Sequence, residues 1–447
     1  MVGQLLRLAD LISGRVQSVV ESRKKLGMSI TTSRRSFLTG TAAVAASLVA
    51  GSAFAEDADA VGNVLKSSRR GNWDDEFDAK ATGAPKVSSR TPIFSQQTVS
   101  YIEAAIGQYQ GIVAAGGWPV VPADKKLKLG VADSDVEVLR KRLMVSGDLS
   151  PNAGISPSFD TYVDAAVKRF QARHGLPADG VMGQYSFKAM NVSAQVRLGQ
   201  LETNLVRLRS MSGFLGNRYV MVNVPAAQIE AVEGDRVVSR HTAIVGKIDR
   251  QTPILNSKIN EIIVNPYWNA PESIVRKDII PLMRKNPKYL VENHIRMFGP
   301  NGEIDPTTID WSTEDAAKFR FRQDPGAINA MASVKINFPS PENVYMHDTP
   351  SQGLFNKLMR FDSSGCVRVQ NVRDLVVWIL RDTPGWNRQH LEATIKGGEN
   401  TPIQVVNPVP VYFTYISAWS TGEGVVHLRD DIYARDGVDE LQITSSL

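Results

Sequence analysis

The chain has 447 residues, 43% of them hydrophobic, with 7 Trp, 15 Phe and 11 Tyr, which is enough to bury more than one core and excludes a disordered or fibrous protein. Its formal charge of +5 suggests a polyanionic partner only until the charge is located: residues 1–55 hold seven Lys/Arg against two Asp/Glu, leaving 44 of each sign elsewhere. Nucleic acid is therefore not an expected partner of the body of the chain.

The stretch "TTSRRSFLTGTAAVAASLVAGSAFAEDA" combines the paired Arg34 and Arg35, an Ala-rich apolar run and the small-x-small triplet Ala53-Phe54-Ala55. That order predicts a twin-arginine signal over residues 1–55, cleaved on export, and a periplasmic mature protein. The run uses Ala, Gly, Ser and Thr where a bilayer span uses Leu and Ile, so no integral membrane anchor is expected after cleavage. Met1 and Met28 are both possible starts. Residues 56–95 lack sustained periodicity and read as a flexible linker.

From Thr98 the apolar spacing turns helical. Tyr101, Ile102, Ala105, Ile106 and Tyr109 share a face that ends at Gly111 or at Gly116-Gly117, giving a helical scaffold segment over 96–130. Residues 131–192 repeat one device, an amphipathic helix stopped by glycine. Val136, Leu139 and Leu143 end near Gly147, and Val163, Ala166, Val167 and Phe170 end at Gly175 with Pro177 beyond. Asp179-Gly180 turns the chain into a short helix around Ser186 to Met190. The run "AAVKRFQARHGLPADGVMGQYSFKAMN" resembles the peptidoglycan-binding helical module of bacterial wall enzymes, with Ser186 where Thr is usual. The resemblance implies glycan strands as a partner class and singles out no contact residue.

A leucine-spaced helix (Leu198, Leu201, Leu205, Leu208) connects over 193–216, after which the period switches to two. Val220, Val222 and Val224 alternate with Tyr219, Met221 and Asn223, and Glu233-Gly234-Asp235 marks a turn, so a β-rich domain is predicted over 217–435. The segment 275–326 breaks that pattern with Pro, Gly and mixed charge and reads as an insertion over a cleft. The fold class expected is multidomain α+β.

The stretch "FDSSGCVRVQN" holds Cys366, the single cysteine of the chain. One cysteine closes no intrachain bridge, which leaves an intermolecular disulfide, an inert buried thiol or a nucleophile. Val344 to Met346 carries a strand signal and places His347 at a strand end, nineteen positions before Cys366, where an imidazole can serve a thiol as base. Gly365 lets backbone N–H groups approach a developing oxyanion. Asn371 reads as the N-cap of a following helix. Arg368 can grip a substrate carboxylate or pair with Asp362; Ser364 is a loop hydrogen-bonder, and Tyr345 and Trp268 are candidates for the cleft wall.

These residues resemble the L,D-transpeptidase family, whose signature pairs a histidine with a downstream S/T-x-G-C-hydrophobic-R run at about this spacing. The resemblance extends over about 130–435, including "NPYWNAPESI" and "PVPVYFTYISAW". The commonest signature has histidine before the glycine, where this chain has Ser364, so His347 must be the base. The resemblance implies attack by Cys366 on the amide between diaminopimelate and D-alanine of a peptidoglycan stem peptide. It also implies an acyl-enzyme, a crosslink between third-position residues, orientation of His347 by the backbone carbonyl of Asp348, and a capping subdomain at the insertion.

Two readings compete with this one: the same acyl-enzyme resolved by water, which is a carboxypeptidase, and a wall-binding protein without catalysis. No H-E-x-x-H, P-loop, G-x-G-x-x-G or S-D-N/K-T-G pair occurs, so no metal or cofactor is expected.

Overall fold

The computed structural model describes residues 89–441 apart from 212, 214, 423, 439 and 440. The expected signal segment at 1–55 and the linker up to residue 88 lie outside the described residues. The end of that linker is held on the β domain: Ile93 and Phe94 are buried, the Ile93 N–H donates to the Glu230 carboxylate at 2.9 Å, and the Tyr219 hydroxyl donates to the Phe94 carbonyl at 2.8 Å.

Helix α1 (Gln96–Ala114) opens on a capping box between Ser95 and Thr98, runs through Gly111 and stops ahead of Gly116 and Gly117, both at positive φ. The helical module follows as α2 (Ser134–Val145), α3 (Thr161–Arg173) and α4 (Gln184–Asn191), with Asp133 and Asp160 capping the first two. Its core joins Val136, Leu139, Leu143, Val163, Val167 and Phe170 to Val121 and Leu127, which lie upstream of the expected edge at 131. The connecting helix α5 (Ala194–Ser210) lays Leu198, Leu201 and Leu208 against α1.

The β domain begins with β1 (Arg218–Asn223), β2 (Gln228–Glu233) and β3 (Arg236–Gly246), the last two joined by the predicted Gly234-Asp235 turn. Then come β4 (Leu255–Val264), β5 (Trp268–Ala270), β6 (Ile295–Gly299), β7 (Gly302–Ile304), β8 (Arg320–Gln323), β9 (Val334–Asn337) and β10 (Met346–His347). β11 (Phe361–Ser363), β12 (Val367–Val369), β13 (Thr401–Thr414), β14 (Ala418–Ser420) and β15 (Val426–Leu428) complete the set. A nine-stranded sheet runs β11-β3-β12-β10-β9-β4-β13-β1-β2, and a further β3–β2 pairing closes it into a barrel. The alternation read in β1 separates two cores: Val220 and Val222 point into the barrel, while Tyr219 and Met221 pack with α1 and α5.

The insertion is a subdomain with its own four-stranded sheet, β5-β8-β6-β7, and helical turns from Glu272 to Lys285. Its core runs from Trp268 to Met331 and so begins before 275 and ends after 326. Helix α6 (Val372–Ile379) and helix α7 (Arg388–Gly397) cover the barrel. Asn371 stands at the N-cap of α6 in a left-handed conformation (φ 51°) with no side-chain cap, so it turns the chain there and does not satisfy the helix end.

Two glycines test the packing in opposite directions. A Cβ on Gly246 would meet the Arg250 carbonyl oxygen at 2.1 Å and the Thr252 nitrogen at 2.6 Å, whereas one on Gly107, mid-helix in α1, meets nothing within 4 Å. Gly246→Ala should cost about 2 kcal/mol or more in urea unfolding. Gly107→Ala should gain about 0.5–1 kcal/mol in the same measurement.

Candidate active site

Three pairings of β3 shape the turn that carries the thiol. From Arg236 to Thr242 the strand pairs with β2, at Ala243 and Ile244 it pairs antiparallel with β12, and at Val245 and Gly246 it pairs parallel with β11. β11 and β12 flank β3, so residues 364–366 carry the chain past the end of that strand. The crossing needs a left-handed residue, and Gly365 sits at φ 117°. Its carbonyl accepts from the Thr252 hydroxyl at 2.8 Å, which itself accepts from the Gly246 N–H at 2.8 Å. The Tyr433 hydroxyl accepts from the Thr252 N–H at 3.1 Å and donates to the Gly246 carbonyl at 2.6 Å.

β10 lies parallel to β12 in the register Met346↔Val367 and His347↔Arg368, so His347 and the turn holding Cys366 are neighbours across one pair of strands. The His347 Nδ1 is 2.5 Å from the backbone carbonyl of Asp348. A carbonyl only accepts, so Nδ1 carries the proton and Nε2 keeps its lone pair. The Asp348 carboxylate is engaged elsewhere, by the Ser333 hydroxyl and the backbone N–H of Thr349. Burial, reinforced by the Arg368 charge, pushes His347 down to about 3, so the ring is neutral at pH 7.

Tyr345 is one residue upstream of β10, its carbonyl accepts from the Val367 N–H at 3.1 Å, and it is an electrostatic neighbour of the Cys366 thiol. Trp268 is buried in the core of the insertion, against which Tyr345 also packs, so it is a core residue of the cap and does not form the cleft wall. The Lys335 ammonium lies 4.3 Å from the Tyr345 ring centroid, and both residues line a cleft of about 660 Å³. Burial raises the Cys366 thiol above its ordinary value, opposed by Tyr345 hydrogen bonds and by the Lys335 and Arg368 charges. Cys366 nonetheless keeps partial exposure.

The Gly365 N–H, an expected oxyanion donor, donates to the Ser363 hydroxyl at 3.1 Å, so a substrate oxygen must compete for it. Ser364 accepts from Arg250 Nη1 at 2.9 Å, and Arg250 pairs through Nη2 with Asp278 of the insertion at 2.9 Å. Arg250, Asp278 and Lys335 complete the surroundings, and sequence reading missed all three. They stand 116, 88 and 31 positions from Cys366 with no local motif; only the tertiary fold brings them in.

Residues 217–405 match the family model "L,D-transpeptidase catalytic domain" (YkuD). Over that stretch the chain is similar to the YkuD family of L,D-transpeptidase catalytic domains. Residues 132–190 match a second model, "Putative peptidoglycan binding domain". A Haemophilus influenzae protein named "Putative L,D-transpeptidase" is 33% identical over 239 residues, 53% of this chain and 48% of that protein, so the chain spans about half the length of this curated relative. Among solved structures, the L,D-transpeptidase of Stackebrandtia nassauensis is 13% identical, with 66% of this chain and 96% of that one covered, at a TM-score of 0.23. That of Xylanimonas cellulosilytica is 14% identical, with 66% and 99% covered, at 0.21. The catalytic-domain match spans the barrel, the insertion, His347 and Cys366 together.

Burial of the Cys366 thiol and of the His347 imidazole fixes two pH responses. Alkylation of Cys366 by iodoacetamide should rise through a midpoint above the usual cysteine value of about 8.5; a plateau reached below pH 7 would mean a thiolate–imidazolium pair instead. Because the folded His347 value is depressed, the unfolded chain binds its proton first. The stability this group contributes is therefore present above about 6.5 and lost as pH falls toward 3.

The Arg250–Asp278 pair is nearly buried, its side chains 14% and 7% exposed. Arg250→Met should cost about 3–5 kcal/mol in thermal unfolding by stranding the Asp278 carboxylate, and Arg250→Met/Asp278→Leu should recover most of that loss.

Proposed function

We propose that the protein is an exported cysteine L,D-transpeptidase that joins third-position residues of peptidoglycan stem peptides. The observation that supports this reading is the parallel β10–β12 register, which puts His347 on the strand next to the one that follows the glycine turn holding Cys366, with the His347 Nδ1 tied to a backbone carbonyl. The Cys366 sulfur attacks the carbonyl between diaminopimelate and D-alanine while His347 Nε2 takes the thiol proton. The carbon–nitrogen bond then breaks, the proton passes from His347 to the departing D-alanine amine, and a thioester remains. A side-chain amine of an acceptor stem attacks the thioester, gives its proton to His347 and releases the sulfur, which recovers that proton.

In this scheme the backbone carbonyl of Asp348 holds the productive tautomer of His347. Tyr345 donates to the developing thiolate, and the Arg368 and Lys335 charges stabilise it and attract the carboxylate of the donor stem. Gly365 contributes its N–H to the oxyanion once Ser363 yields it, and Ser364 acts by anchoring the turn to Arg250. Arg250 thereby couples the cap to the nucleophile. The helical module supplies affinity for the wall polymer, and the twin-arginine segment supplies the route to the periplasm. No helix among the described residues is long and apolar enough to cross a membrane.

Incubation with disaccharide-tetrapeptide and mass analysis of the products tests the reaction. A dimer lacking one D-alanine is expected; tripeptide alone would make the protein a carboxypeptidase, and no turnover would leave only wall binding. Cys366→Ala should abolish product, and His347→Gln should lower the rate about a hundred- to ten-thousand-fold.

A further inference from the structure

A second cavity lies away from the thiol turn. It encloses about 740 Å³ between the helical module and the β domain, at the opposite ends of β11 and β12, where Phe361 and Gln370 form part of its wall. That volume suits a small-molecule ligand.

Its charge is unbalanced. Arg197, Arg360 and Arg429 all line it, and among the described residues none of the three forms an ion pair. Their donors go to neutral oxygens: Arg197 to the Gln200 side chain, Arg360 to the Lys357 carbonyl, Arg429 to the Arg173 and Leu428 carbonyls. Of the carboxylates on the wall, Glu230 is already held by Arg240 and the Ile93 N–H, and Asp430 alone faces both Arg429 and Arg197. Burial draws all three guanidinium values down to about 10, the mark of cations short of counter-charge.

Two buried nitrogens on the same wall lack partners. His427 is 7% exposed, its ring is stacked on Trp419 at 5.0 Å, and its Nε2 is buried with no hydrogen bond; the Arg360 Nε is in the same condition. An unsatisfied buried polar atom costs about 1–3 kcal/mol, and an uncompensated buried cation costs more. One ligand with an anionic, hydrogen-bond-accepting group would relieve both.

We propose that this cavity is a second binding site, one that takes a carboxylate-bearing ligand through His427, Arg360 and Arg429, and that its occupant is a peptidoglycan stem peptide held by a free carboxylate. The choice of occupant rests on the function proposed above and on the match of the helical module, whose α3 and α4 end at this cavity, to a peptidoglycan-binding family. The site is distinct from the thiol turn, so a stem peptide bound here is not the one being cut.

The test uses the full chain with Cys366 blocked by iodoacetamide, titrated calorimetrically with disaccharide-tetrapeptide, with its carboxyl-amidated form and with inorganic phosphate. Binding of the free acid is expected, with loss in the amidated form. His427→Phe, which keeps the stack on Trp419 and removes the Nε2 donor, should weaken it about tenfold, the equivalent of about 1.4 kcal/mol. Arg360→Gln should do the same, which keeps the test alive if the first variant does not fold. Equal affinity for the free and amidated forms, or affinity untouched by both variants, would overturn the proposal. Phosphate binding without stem-peptide binding would assign the site to a phosphate-bearing ligand and overturn the stem-peptide occupant. Absence of crosslinked product alongside intact, variant-sensitive binding would count against the catalytic reading alone.

Discussion

One strand, β3, meets three partners along its length, and the placement of the reactive residues depends on that division. Pairing with β2 closes the barrel; pairing with β12 sets the register of the strand that follows the thiol; pairing with β11 sets the strand that precedes it. The chain must then pass the end of β3 between β11 and β12, and that passage is the turn that holds Cys366. The geometry of Cys366 is thus a by-product of barrel closure and does not rest on a mobile loop finding its place. The hydrogen bonds of Thr252 and Tyr433 around Gly246 and Gly365 close the backbone groups that such a crossing would otherwise leave unsatisfied.

The electrostatics of the site follow from the same burial. Arg368 and Lys335 favour a thiolate, but desolvation is the larger effect on Cys366, and it also keeps His347 neutral. A thiol kept protonated at rest is a poor target for oxidants and for disulfide exchange, which depend on the thiolate. Tyr345 is central to this arrangement because it is an electrostatic neighbour of the thiol while it packs against the core of the cap. Packing of the cap and solvation of the thiol are consequently not independent.

Much of this was legible in the sequence, for reasons tied to particular residues. The helices of the module announce themselves because each carries a regular apolar stripe and a glycine stop, and β1 does so because its two faces serve two cores. His347 and Cys366 stand out in the sequence because the one closes a short strand and the other lies in a short polar interruption between strands. Other features were hidden because they are tertiary. Residues 93–94 look like linker, yet Glu230 and Tyr219 from distant strands hold them down. Asn371 has the composition of a cap, but the exit from β12 forces it into a left-handed turn. Trp268 looks like a cleft residue until the insertion is seen to begin with it, and Arg250 gives no local signal of its ties to Ser364 and Asp278.

The joint between the helical module and the β domain is polar and buried, and that determines how it behaves. The Arg173 Nε and Nη2 grip the Asp148 carboxylate at 2.8 and 2.6 Å at the end of α3, while the Arg173 carbonyl accepts from Arg429 at 2.9 Å. From α5, Gln200 Nε2 donates to the Arg429 carbonyl at 2.9 Å and Asn204 Nδ2 to the Ser417 hydroxyl at 2.8 Å. Apolar faces can slide over one another at little cost, but hydrogen bonds buried in this way are satisfied in one arrangement, and a shift of about an ångström strands several donors together. The side chain on Arg429 leaves room for nothing larger than glycine at 175, where a Cβ would stand 2.6 Å from its Nε. The module is therefore fixed against the β14–β15 hairpin and does not swing on a tether. Any polymer it engages is held in a set orientation to the thiol turn, with the arginine-lined cavity at the joint between them.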